Sequence, residues 1–359
     1  AGANGIRDIA GNLLGQDLSI EFAVYSPATT NLVFVGAGYT FDPTAAQGSR
    51  ANPYATINEG IAAAGFGDTV AVLPGIYAES VVMRNQINLV SAGVSSTNSS
   101  LTRGNALQTI IRPVAAVNSV AVTAAGLTAF FDPTTGAALQ TQLSGFTIAS
   151  SLLGDPAFGT QNIDSTGLLL TDSTMLVKDN YFINSGTGVA AFTSASAPGT
   201  SSFVNNGFIG NVVGANVTDQ GGTPASSTHY FVNNTFAYNT YGFWAQNSGS
   251  TGSNQAYLAN NIFWQNHDQS PTRGGLGVYS ATPNHLVLNN NLFSGNGQSD
   301  TLAWWAAYNV GNGFDLTKLG PNASNAASNL GNFTGWPAFV SPIDPRPGSD
   351  GPAQFYLSA

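Results

Sequence analysis

Apolar and polar positions alternate through the middle of the chain in one short pattern that returns five times. With Phe182, Phe208, Phe236, Phe263 and Phe293 as the reference of each unit, the residue five places earlier is always apolar: Val177, Phe203, Phe231, Leu258 and Leu288. The next place holds Lys178, Val204, Val232, Ala259 or Asn289. The first position therefore faces a core and the second solvent, which is strand alternation. An interval of 26 to 30 residues between units is the length of one supersecondary turn in a repeat architecture.

Asparagine marks the rest of each unit. Asn180, Asn206, Asn234, Asn261 and Asn291 stand two places before the Phe, and because asparagine tolerates the left-handed conformation they are expected to turn a corner. A second set, Asn211, Asn239, Asn266 and Asn296, with Ser185 in the first unit, follows three places after it. Amides stacked at a strand spacing of ~4.8 Å can hydrogen-bond from unit to unit. Gly188, Gly214 and Gly242 are expected to supply a further bend before Val189, Ala215 and Phe243 return to the interior. So many Asn and Gly exclude a helical repeat. The pattern predicts a coil of short parallel strands, a β-solenoid.

The segments Pro53-Tyr54-Ala55-Thr56-Ile57-Asn58-Glu59-Gly60-Ile61, Gly67-Asp68-Thr69-Val70-Ala71-Val72 and Pro74-Gly75-Ile76-Tyr77, joined to these repeats, resemble the right-handed parallel β-helix of pectate-lyase-like proteins, of the surface-protein type. The resemblance implies an all-β, right-handed single-stranded parallel β-helix of roughly eight to ten coils over residues 31–340, with a short N-terminal capping α-helix and a closing segment at 341–359. Thr56 and Glu59 have capping-box spacing, Ile57 and Ile61 share a helical face, and Gly65 can end the helix. Residues 1–30, with Gly5-Ile6-Arg7-Asp8-Ile9 followed by Leu18-Ser19-Ile20-Glu21-Phe22, are expected to be an N-terminal strand extension similar to the end of a bacterial immunoglobulin-like module. Either the rest of that module lies upstream in a longer precursor, or the strand pairs with the solenoid or a neighbouring molecule, or it is a terminal extension packed on the solenoid.

Composition narrows the function. Charged residues are 8% of the chain against the ~25% of ordinary domains, so solubility falls to Asn, Ser, Thr and Gln. A net charge of −9 argues against nucleic acid, and against anionic polymers unless a local basic patch intervenes. No apolar stretch is long enough for membrane insertion. The chain has no cysteine, which removes disulfides, thiolate metal sites and a cysteine nucleophile. An extracellular or cell-surface location is expected.

What the resemblance implies for chemistry is a lyase, with carboxylates holding calcium and an Arg or Lys as base, or a hydrolase with two or three close carboxylates. Arg112-Pro113 is half of the family's lyase signature, and no two acids are adjacent. Lys178 and Asp179 are the best local pair for base and calcium ligand, although their places in the unit also make them an outer strand residue and a variant of the asparagine column. His267, Asp268 and Arg273 form a second polar cluster in a long loop. His229, His267 and His285 fall at different places in their units and are expected to be solvated or locally bonded. Trp244 and Trp264, with Tyr238 and Tyr241, would form a platform for sugar rings if they point outward on adjacent coils. Trp304-Trp305 is expected to plug the end of the helix. The expected function is a non-enzymatic extracellular scaffold or adhesive module of a bacterial surface or fibre-forming protein, self-associating or binding other surface proteins or glycans. A polysaccharide lyase or hydrolase acting on acidic glycans is the first alternative and a carbohydrate-binding module the second. No cofactor or metal is expected, calcium entering only with the lyase.

Overall fold

The computed structural model describes residues 31–39, 42–113, 119–131, 138–149, 165–193, 199–219, 227–247, 255–266, 276–280, 286–294, 296, 303–305 and 333–334. The segments 1–30 and 341–359, and His267, Asp268, Arg273 and His285, lie outside them.

Each repeat contributes one strand to each of three parallel sheets. One coil runs through Thr200–Val204, Gly207–Ile209 and Val213–Asp219, and the next through Thr228–Val232, Thr235–Ala237 and Tyr241–Asn247. Strands stack directly: Phe203 pairs with Phe231, Phe208 with Phe236 and Ala215 with Phe243. Repetition builds a first sheet of nine strands, a second of nine and a third of eight. This is an all-β parallel β-helix. Apart from it, among the described residues, stands an antiparallel strand pair, Phe130–Phe131 with Ala138–Leu139.

The interior follows the alternation in the sequence. Val177, Phe203, Phe231, Leu258 and Leu288 are buried, while Lys178, Val204, Val232, Ala259 and Asn289 are only partly so. The reference phenylalanines stack face to face, with centroids 5.2, 4.5, 4.7 and 4.9 Å apart from Phe182 to Phe293.

The structure divides labour between adjacent asparagines in a way the sequence does not show. The corner residue with positive φ is the earlier of each pair: Asp179 (59°), Asn205 (56°), Asn233 (57°), Asn260 (56°) and Asn290 (53°). Asn180, Asn206, Asn234, Asn261 and Asn291 instead point inward and are at most 2% exposed. The expectation that these five turn the corner is thus corrected; their amides form the buried ladder. Asn234 donates from Nδ2 to the Phe203 carbonyl on one side and to Asn261 Oδ1 on the other, at 3.0 Å each, and its own Oδ1 accepts from Asn206. Nothing in such a ladder is left unsatisfied, so burial of the amide is stabilising rather than costly. Asn211, Asn239, Asn266 and Asn296 make a second ladder of the same design.

Gly188, Gly214 and Gly242 do not bend the chain. They lie inside strands of the third sheet, where a Cβ on Gly188 would fall 2.5 Å from the Gly214 carbonyl and one on Gly214 would fall 2.3 Å from that of Gly242. The requirement is close approach of successive coils. The second corner is turned by Asn184, Gly210, Tyr238 and Gln265, all with positive φ.

The helix Ile57–Ala63 closes the N-terminal coil. Its capping box joins Thr56 and Glu59, and its buried residues are Ile57, Gly60 and Ile61. A Glu79 carboxylate from outside the helix accepts from the Ile57 and Asn58 N–H groups at 2.7 and 3.1 Å, holding negative charge at the helix start. The stop is Ala64 in extended conformation, not Gly65, whose N–H is taken by Asp68.

Candidate functional site

Two places on the coil bring functional side chains together. One is the corner after Met175–Lys178. Backbone geometry holds Asp179 in the left-handed region, so its carboxylate stands on the outer rim beside the next corner residue. Asn205 Nδ2 donates to Asp179 Oδ1 at 2.7 Å. Arg103, remote in sequence, donates from its guanidinium to Asp179 Oδ2 as an ion pair. It is brought there by the loop that follows Asn88–Ser91, which an isolated bridge between Ala92 and Arg103 pins to the first sheet.

Lys178 ends its strand on the outer face, in register with Ser144 and Val204. Its ammonium is pushed below the usual lysine range, first by burial and then by the charge of Arg103, with Asp179 acting in the other direction. Both carboxylate oxygens of Asp179 are engaged, one by the Arg103 guanidinium and the other by the Asn205 amide. Among the described residues no three His, Asp or Glu side chains gather as a metal site would require.

The other place is the outer face of the third sheet. Trp244 lies between the inward Phe243 and Ala245 and packs edge-on against Tyr241, centroids 5.0 Å apart. Register carries its position upward to Tyr279 and then to Trp304, and downward to Asn216. Trp304 and Trp305 therefore belong to a strand of the third sheet.

Trp264 is elsewhere. It lies on the second sheet, 2% exposed, with its ring packed edge-on against Tyr238. The expected platform of Trp244 with Trp264 is corrected, because corner and ladder residues intervene between the two offsets and send them to different sheets. The same burial withdraws Trp264 from any sugar. The exposed large aromatics among the described residues are instead Phe66, Phe131 and Tyr230, the last 39% exposed and stacked on Tyr257.

His229 also departs from expectation. It points into the solenoid between Ser201 and Ala256 in register, is 3% exposed, and neither ring nitrogen has a hydrogen-bond partner. Burial pushes its pKa down to about 4, so the ring is neutral at pH 7. Its inward strand position was visible in the alternation, but the lack of partners was not. Arg103 was missed entirely, since 76 residues separate it from Asp179.

Comparison with known proteins gives the following. No helix among the described residues is long and apolar enough to cross a membrane, and no curated protein matches the chain. Among solved structures the chain is similar to ORF18 of Geobacillus virus E2, at 15% identity and a TM-score of 0.44, over 73% of this chain and 48% of that one. It thus spans about half the length of that protein. It is similar to pectin methylesterase PemA from Erwinia chrysanthemi, at 12% identity and a TM-score of 0.37, over 75% of this chain and 79% of the esterase. The tailspike protein gp49 of Acinetobacter baumannii bacteriophage Fri1, a capsular polysaccharide depolymerase, is similar at 12% identity and a TM-score of 0.37, over 64% of this chain and 40% of the tailspike. A family model described as a protein of unknown function (DUF1565) matches residues 42–315.

Proposed function

The chain belongs to the DUF1565 family, and from that premise we propose that it is a non-enzymatic extracellular scaffold or adhesive module that holds glycan on its third sheet. The observation that carries the reading is the register of Trp244, Tyr279 and Trp304, which pairs one aromatic residue with the next on three consecutive strands of the third sheet. An aromatic ring offers a flat apolar surface with little conformational entropy to lose, which suits the apolar face of a pyranose. Rungs ~4.8 Å apart suit an extended chain of sugar units better than one isolated sugar. Asn216, one rung below Trp244, adds a hydrogen-bonding side chain to the same column.

The shaft supports a scaffold role. Two buried amide ladders and a stacked phenylalanine column tie the coils between Asn180 and Asn296 to one another along the axis, so stability accrues rung by rung as in other solenoids. The lyase alternative needs Asp179 free to hold calcium, and its two oxygens are occupied by Arg103 and Asn205.

The test is retention on immobilised polysaccharides together with a chromatographic search for released products. Binding without products is expected, weakened at least about fivefold by Trp244→Ala. Product release, or Trp244→Ala binding as the wild type does, would overturn the reading.

A further inference from the structure

The chain has nine Lys and Arg residues and a net charge of −9, so two cations flanking one carboxylate stand against the general field. That happens at the corner of Asp179. Arg103 is 62% exposed yet held in place by its ion pair, and guanidinium N–H groups not directed at Asp179 remain to recognise a second planar anion. Lys178 precedes Asp179 on the outer face of the first sheet, half-buried and close enough to Arg103 to feel its charge. Among the described residues no group accepts a hydrogen bond from its ammonium. Arg103 alone is ion-paired with the Asp179 carboxylate, so Lys178 adds a positive charge beside a pair that is already neutral.

We propose that Arg103 and Lys178 form an anion-binding site on the first sheet that takes the carboxylate of an acidic sugar. Only the sugar part of that ligand rests on the glycan reading above; the site itself lies on a different sheet from Trp244. The carboxylate would accept from the guanidinium edge and from the lysine ammonium, completing for Lys178 the partnership that Asp179 completes for Arg103. Long-range repulsion by the negative chain makes such a patch the place where an anion can settle. Val204 and Val232, which continue the Lys178 position along the sheet, offer apolar surface beside it for the ring of the sugar.

The site can be read directly at Lys178. A lysine with a lowered pKa is acylated faster at neutral pH, and a bound anion slows the reaction by restoring the charged form. At low ionic strength, glucuronate is expected to protect Lys178 from acylation, measured by peptide mass spectrometry, whereas glucose and chloride at matched ionic strength are not. Arg103→Gln is expected to abolish the protection. Asp179→Asn is the decisive variant: Asn fills this corner in the four following coils, so the fold is kept while the competing carboxylate goes. Glucuronate should then bind about two- to fivefold more tightly. Sulfate protecting as well as glucuronate would overturn the carboxylate assignment, and protection that survives Arg103→Gln or vanishes in Asp179→Asn would overturn the site. The glycan reading fails separately, since Trp244→Ala leaves this protection untouched and affects only polymer retention.

Discussion

Asn206 donates both its backbone N–H and its side-chain amide to the same atom, Oδ1 of Asn234, at 2.8 and 3.1 Å. One acceptor serving two donors from the coil below is the unit from which the ladder is built. Asn234→Ala leaves the Asn206 N–H, an Asn206 amide hydrogen and the Phe203 carbonyl without partners in a buried place. At ~1–3 kcal/mol for each buried unsatisfied group, the variant should lose at least about 3 kcal/mol, read as a fall in denaturant midpoint. The neighbouring Asn233, exposed with a φ of 57°, should tolerate Gly within about 0.5 kcal/mol. Equal losses at the two positions would contradict the division between ladder and corner.

A second pair of substitutions separates glycine that bends from glycine that makes room. Gly214→Ala places a methyl 2.3 Å from the Gly242 carbonyl and 3.1 Å from the Phe236 ring. Relief requires the coils to part, at a cost of about 1–3 kcal/mol. Gly126 has a φ of +63° with open space around it, so Gly126→Asn should change the melting temperature little. A Gly214→Ala variant as stable as the wild type would show that the strands can spread freely.

Periodicity made the solenoid legible because inward and outward places alternate at Val177 and Lys178 as in any strand, and the capping box of Thr56 and Glu59 is a purely local signal. Assignment among paired asparagines was not legible. Asn233 and Asn234 have the same intrinsic freedom, and only the surrounding coil decides which is turned inward. Glycine was ambiguous for a similar reason, since a bend and a close approach select the same residue. Trp244 and Trp264 were misgrouped because counting from the phenylalanine does not reveal the corner that lies between their offsets. Arg103 left no trace at all, its partner being supplied by tertiary structure alone.

Strain at the second corner gives a stabilising change. Gln265 sits at a φ of 48° and Tyr238 at 56°, a conformation that costs an ordinary residue about 1–2 kcal/mol. Gln265→Gly should therefore gain about 0.5–1 kcal/mol after the larger entropy of glycine in the unfolded chain is subtracted. Tyr238→Gly relieves the same strain but removes the ring packed on Trp264, and should be net destabilising. Thermal melts of both variants compare strain with packing at equivalent places, and a gain at Tyr238 as large as that at Gln265 would mean that the Tyr–Trp contact contributes nothing.

Acid should loosen the shaft at His229. The unfolded chain binds a proton there below its ordinary value of 6.5, whereas the buried ring resists protonation until about 4. Between these values the unfolded state holds more protons, so stability rises with pH across the window, is fully present above 6.5, and is lost as the pH falls toward 4. The two limits correspond to about 3 kcal/mol. His229→Leu retains an apolar side chain in a place already free of hydrogen bonds and should remove this part of the pH dependence while leaving stability at pH 7.5 within about 1.5 kcal/mol. Urea midpoints at pH 7.5, 5.5 and 4.5 measure the slope in each protein. If the two proteins lose stability in parallel from 6.5 to 4, the ring takes up its proton in the folded state as readily as in the unfolded one, and the neutral buried histidine is refuted.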